Sequence, residues 1–160
     1  MALGITFGAG QRVSASDLNA IVTQVNSLTS PPWTSFTPTL TASGTAFSLG
    51  NGSAFGRYRR PAGSDLIVYE GKITWGTTTS NGTGFYTVNV PVNADASAST
   101  VSNGTCQIFD NGTARRLGQC WLSSASAIGF ISASGDVTNT SPQTFASSDF
   151  ISWQITYMPA

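Results

Sequence analysis

The closing stretch Phe150-Ile151-Ser152-Trp153-Gln154-Ile155-Thr156-Tyr157 decides the fold class. Ile151, Trp153, Ile155 and Tyr157 alternate with Ser152, Gln154 and Thr156, so one face is apolar and the other hydroxylic, the period-two signature of a half-buried strand. Working back along the chain, strands and turns alternate in the same way. Ala54 to Arg59 carries Phe55 and Tyr58, and Pro61-Ala62-Gly63-Ser64 turns the chain into a strand from Asp65 to Trp75. There Leu66, Val68 and Glu70 share one face while Ile67, Tyr69 and Gly71 share the other, which predicts cover on both sides near its start. Ile73 and Trp75 continue on one face. The run 76–84 is Thr/Ser/Asn/Gly-rich, and Phe85 to Val90 returns as a strand, so the two strands are expected to form a hairpin. A second hairpin joins Thr105–Phe109 to Ala114–Trp121 through Asp110-Asn111-Gly112, and Ala127 to Ser132 follows. Trp33 to Thr41 reads as extended, with Pro38 placing it at a sheet edge. Strands at this spacing, with turn chemistry between them, predict a mostly β protein with an antiparallel β-sandwich or jelly-roll-like domain over 33–160.

Composition narrows the chemistry. Seven basic residues face seven acidic ones, and only 9% of residues are charged. No electrostatic case for nucleic acid exists. The apolar runs fall far short of the ~20 residues of a membrane helix, and Met1-Ala2-Leu3-Gly4 lacks the basic start of a signal peptide. The chain holds no histidine, which removes Ser-His-Asp triads, Cys-His dyads and zincin-type metal sites. Asp17, Asp65, Glu70, Asp95, Asp110, Asp136 and Asp149 stand singly, most of them beside turn residues. No catalytic residue, cofactor site or metal site is expected, and an enzyme is not expected.

The one helical pattern lies N-terminal to all this. Leu18, Ile21, Val25 and Leu28 follow the alternating steps of three and four of a coiled-coil seam, and Val22 widens the stripe. Ser14 stands at the N-cap with Asp17 three residues on, Val13 and Leu18 are placed for a hydrophobic staple, and Ser30-Pro31-Pro32 ends the element. A short helix over 13–30 with barely two heptads is marginal alone in water, so it needs a partner, either its own copies or the β domain. Before it, residues 1–12 hold Leu3, Ile5 and Phe7 among Gly4, Gly8 and Gly10. That segment is too glycine-rich for a helix and too apolar for a free tail, which suits an extended arm that docks on another protein or a strand added to the chain's own sheet.

Cys106 and Cys120 flank the second hairpin. If Asn111-Gly112 is a two-residue loop, Cys106 lies opposite Leu117 and a bridge is disfavoured, whereas a longer loop centred near Thr113 would bring the thiols opposite. Two half-buried free thiols are the preferred reading. Arg57-Tyr58-Arg59-Arg60 is the one basic cluster, suited to phosphate or acidic polymer in one reading and to strand-end packing in the preferred one. Trp33, Trp75, Trp121 and Trp153 could form a sugar platform, but the periodicity around Trp75 and Trp153 favours core packing. The glycine-rich turns at Gly50-Asn51-Gly52, Ser80-Asn81-Gly82-Thr83-Gly84 and Asn103-Gly104 read as loop tips, where a receptor site would most often be placed.

These motifs carry a resemblance. Gly10-x-x-Val13-x-Ala15-x-Asp17-Leu18-Asn19, then Trp33-x-x-Phe36-x-Pro38-Thr39-Leu40, Gly56-Arg57-Tyr58, Gly71-Lys72-Ile73-x-Trp75-Gly76 and Gly84-x-Tyr86-x-Val88-x-Val90-Pro91 together resemble small virion proteins of tailed bacteriophages, of the minor tail, tail-fibre or head-decoration type found in phages of actinobacteria. The resemblance implies a β domain displayed outward on the virion, commonly in threes, fastened by its N-terminal portion to a tail or major capsid protein and made in the host cytoplasm. It carries no catalytic residues. The expectation is therefore a homotrimeric, non-enzymatic virion protein, the alternative being a carbohydrate-binding module that adheres to host glycan.

Overall fold

The computed structural model describes residues 13–28, 32–95, 97 and 103–160. The arm residues Leu3, Ile5 and Phe7 lie outside them. The helix α1 spans Ala15–Leu28. Its start follows from local chemistry: the Ser14 amide and hydroxyl both donate to Asp17 Oδ2, at 2.9 and 2.7 Å, and the Asp17 amide donates back to Ser14 Oγ at 3.2 Å. This reciprocal cap is worth about 1 kcal/mol. The same bonds hold the exposed Asp17 carboxyl below its usual pKa.

Ten strands follow among the described residues: β1 (Thr34–Phe36), β2 (Leu40–Ala42), β3 (Ser53–Arg59), β4 (Ile67–Thr74), β5 (Tyr86–Asn89), β6 (Asn103–Asp110), β7 (Ala114–Ser124), β8 (Ala127–Ser132), β9 (Gly135–Asp136) and β10 (Phe150–Tyr157). They form a single antiparallel sheet in the order β1-β3-β4-β10-β6-β7-β8-β5-β2, with β9 on β8. The outermost strands are consecutive in sequence. From Phe36 to Leu40 the chain can span at most about 15 Å, whereas nine flat strands would hold their edges about 38 Å apart. The sheet must therefore curl until its edges approach, giving a rolled, sandwich-like body. Pro38 lies buried in the short connection, with its ring beside Gly56, where a Cβ would stand 3.1 Å from Pro38 Cδ and 2.9 Å from the Phe36 oxygen.

The inner face of the curl is the core. Ile67, Tyr69, Ile73 and Trp75 come from β4 and its continuation, Ile151, Trp153, Ile155 and Tyr157 from β10, and Ile108, Leu122, Ile128 and Phe130 from the neighbouring strands. The registers align Gly56, Gly71, Trp153, Cys106 and Gly118 in one row across five strands. One indole thus fills the space that four small neighbours leave: a Cβ on Gly71 would lie 2.4 Å from Trp153 Cζ2. A second aromatic group stacks Trp75 on Phe145 at 4.3 Å and sets Phe47 edge-on to Trp75 and Tyr86.

The closing strand alternates as read and lies in the middle of the sheet between β4 and β6. Other expectations need correction. β4 is covered on its inner side alone, because Leu66 is exposed and Val68 faces outward. β4 and β5 do not pair; β4 lies between β3 and β10, and β5 between β8 and β2. The loop between them carries the chain across the curl, so that Trp75 and Tyr86 meet ring to ring inside it at 5.9 Å. Asn103-Gly104 is no turn but the start of β6. The other glycine-rich turns are knitted together: Asn51 exchanges bonds of 2.9 Å with Thr77 and Thr78, and Ser48 bridges Ser80.

Candidate functional site

The predicted seam on α1 is uncovered. Leu18 is 54% exposed, Val22 55% and Val25 47%, with Ile21 partly buried beside them. The Leu28 side chain falls outside the described ones. Val13 and Leu18, placed for a staple, are both exposed. Among the described residues the helix makes no more than isolated contacts with any strand. The β domain therefore does not supply the cover that the stripe lacks.

The basic cluster is used within the chain. Arg57 Nε donates to Glu70 at 2.6 Å, and the Arg57 and Arg59 guanidinium carbons stand 4.6 and 4.7 Å from the centre of the Trp33 ring. Two cations on one indole anchor the segment that enters β1. Tyr58, between them, packs against the core.

The hairpin loop has three residues, Asn111 to Thr113, with Gly112 at φ +84° and Asp110 opposite Ala114. Cys106 therefore faces Gly118, not Leu117, and Cys120 faces Gly104. Both are free, buried thiols, and burial pushes each up to about 12. Such thiols are protonated at neutral pH and poor nucleophiles. Among the described residues no three His, Cys, Asp or Glu side chains converge as a metal site would require.

Asp149 is the buried acid, 2% exposed. Its Oδ1 accepts from the Asn111 amide at 2.8 Å, and its Oδ2 from the Ala146 amide at 2.8 Å and Gln143 Nε2 at 3.2 Å. Gln143 Oε1 in turn accepts from Arg116. Every bond runs toward the carboxylate, so the group acts as an acceptor that ties the β6–β7 loop to the start of β10.

The concave surface lies elsewhere, on the outer side of the sheet. Across β3, β4, β10, β6 and β7 the outward rows read Phe55, Lys72, Ser152, Gln107, Leu117 and Arg57, Glu70, Gln154, Thr105, Gln119. All of them but Arg57 and Gln119 line an open cleft of about 450 Å³ whose walls are Phe55 and Leu117, the latter 80% exposed. Lys72 Nζ sits 4.1 Å over the Phe150 ring, which stacks on Phe109 at 4.8 Å. Of the four tryptophans, Trp75 and Trp153 are buried as their periodicity predicts, while Trp33 and Trp121 reach the surface. Sequence alternation marked the two faces of β10 and β4. It did not reveal that β3, β4 and β10 stand beside β6 and β7, which is what makes the cleft.

Compared with known proteins, the chain matches no family model, no curated protein and no solved structure. No helix among the described residues is long and apolar enough to cross a membrane.

Proposed function

We propose that this chain is a non-enzymatic structural protein of a tailed-phage virion, a homotrimer fastened to a tail or capsid protein through its N-terminal region, with the curled β domain facing solvent. One observation carries the reading: the stripe Leu18, Val22 and Val25 is open on a helix that the chain's own sheet leaves uncovered. Fully burying each such side chain contributes about 1.5–3 kcal/mol, more than a helix of this length can gain from its backbone. Copies of the same helix provide a matching apolar surface at the same spacing. Leu18 and Ile21 at successive seam positions suit more than two strands. The arm residues Leu3, Ile5 and Phe7 are assigned to docking on the particle, and neither nucleic acid nor membrane is a partner.

The test is light scattering after gel filtration of the parent and of the Leu18→Asp/Val25→Asp variant. The parent runs as a trimer, and the variant, with uncompensated carboxylates in the seam, runs mostly as a monomer with its β-type circular dichroism retained. A parent that is monomeric at tens of micromolar overturns the trimer.

A further inference from the structure

Trp121 is the one tryptophan whose ring lies along the outer side of the central sheet. It faces Gly129 on β8, where a Cβ would stand 2.9, 3.0 and 3.2 Å from the ring atoms Cζ2, Cη2 and Cε2. The six-membered half of the indole thus lies over the glycine, and a residue with a side chain there would lift it off the sheet. Among the described residues no other ring or cation stacks on the indole, and Trp121 is partly exposed. Its row continues outward from Gly129 to Thr87 and Thr41, whose hydroxyls bond each other at 2.8 Å.

The cleft adjoins this platform along β7. Leu117, Gln119 and Trp121 point outward at alternate positions, the first and last about 13 Å apart. Among the described residues Gln119, Gln107 and Gln154 make no side-chain hydrogen bond, and neither does the Trp121 indole nitrogen. Each amide presents a donor pair and an acceptor, mounted on strands that cannot shift without breaking a ladder. Glu70 is paired with Arg57 at 2.6 Å, and the Lys72 ammonium lies over the Phe150 ring.

We propose that Trp121 and the outer cleft of β10, β6 and β7 form a binding track for a neutral oligosaccharide. A pyranose offers an apolar C–H face, which suits a partly exposed indole, and a rim of hydroxyls, each both donor and acceptor, which suits free amides. An apolar peptide laid along the track would bury three amides without partners. Gln154 and Gln107 bond ring hydroxyls at the cleft floor, Gln119 links floor to platform, and Trp121 stacks one ring. The track is built by the sheet alone and does not depend on the trimer.

The experiment titrates the full chain with neutral oligosaccharides of glucose, mannose, galactose and N-acetylglucosamine, following tryptophan fluorescence and calorimetry to about 10 mM sugar. At least one series binds saturably. Trp121→Ala and the exposed-site variant Gln154→Ala each weaken it by about tenfold or more, while Trp33→Ala leaves it unchanged. The Leu18→Asp/Val25→Asp variant binds with the parent's affinity per chain, which separates this site from the assembly reading. Absence of binding to all four series overturns the proposal. So does binding that survives Trp121→Ala with native circular dichroism, or preference for oligogalacturonate over every neutral sugar.

Discussion

Replacing Asp149 is the sharpest test of how this sheet is held at its β6–β7 end. The carboxylate is 2% exposed and accepts from Asn111 N, Ala146 N and Gln143 Nε2. Asp149→Ala leaves the Asn111 and Ala146 amides without their acceptor and Gln143 Nε2 with the Phe109 oxygen alone. A buried donor left unpaired costs about 1–3 kcal/mol. All three lie in loops, where water can reach them after local adjustment, so the expected loss is about 3–5 kcal/mol rather than the full sum. Asp149→Asn is expected to do little better, since both carboxylate oxygens accept and the amide must turn its NH2 toward a donor. At about 2–4 °C per kcal/mol for a chain of this size, the melting temperature falls by roughly 10 °C. Urea unfolding of parent and both variants measures the loss directly. If Asp149→Asn is within about 1 kcal/mol of the parent, the carboxylate is not the acceptor hub described above, and the reasoning fails.

Two further outcomes follow from the packing. Gly71→Val drives side-chain atoms into Trp153, whose Cζ2 stands 2.4 Å from the site of the first added carbon, and should cost about 3 kcal/mol or prevent folding; a variant as stable as the parent in urea would contradict the packed row. Burial raises the Cys106 and Cys120 thiols from 9.0 to about 12 and the Tyr157 phenol from 10.0 to about 12. The unfolded chain releases these protons first, so their contribution is fully present below about pH 9 and is lost as pH rises toward 12. Urea midpoints measured upward from pH 8 should fall steeply past pH 9, and the Cys106→Ser/Cys120→Ser variant should show a shallower fall. A flat profile to pH 11 would be inconsistent with buried thiols.

What was legible in the sequence was local. The alternation from Ile151 to Tyr157 and the Ser14/Asp17 cap depend on residues within a few positions of one another, and both appear as read. Partner strands are a different matter. Nothing near Trp75 or Phe85 states that ten antiparallel strands will place β10 beside β4 and β8 beside β5, so the hairpin expected between β4 and β5 was the economical reading and the wrong one. Asp149 sits beside Ser148 like any turn acid, and its burial depends on Asn111 and Gln143, which are distant in sequence or lack a local signature. Pro38 correctly marks an edge. That it joins both edges is a property of closure. Trp121 differs from Trp153 only in which side of its strand it occupies, and the flat seat at Gly129 comes from a neighbouring strand.

The way the curl closes also bears on aggregation. A long bare strand edge offers unpaired amides and carbonyls on which another chain can add, and natural sheets shorten or interrupt such edges. Here the outermost strands are three residues each, β1 with Thr34 and Ser35 exposed, and a proline between them withholds its own amide. Beyond the end of β1, Ala54 of β3 shares the wall of a small cavity with Phe47 and Leu49. Little main chain is left to template a cross-β contact. Copies of this protein that meet do so more readily through side chains than by fusing their sheets.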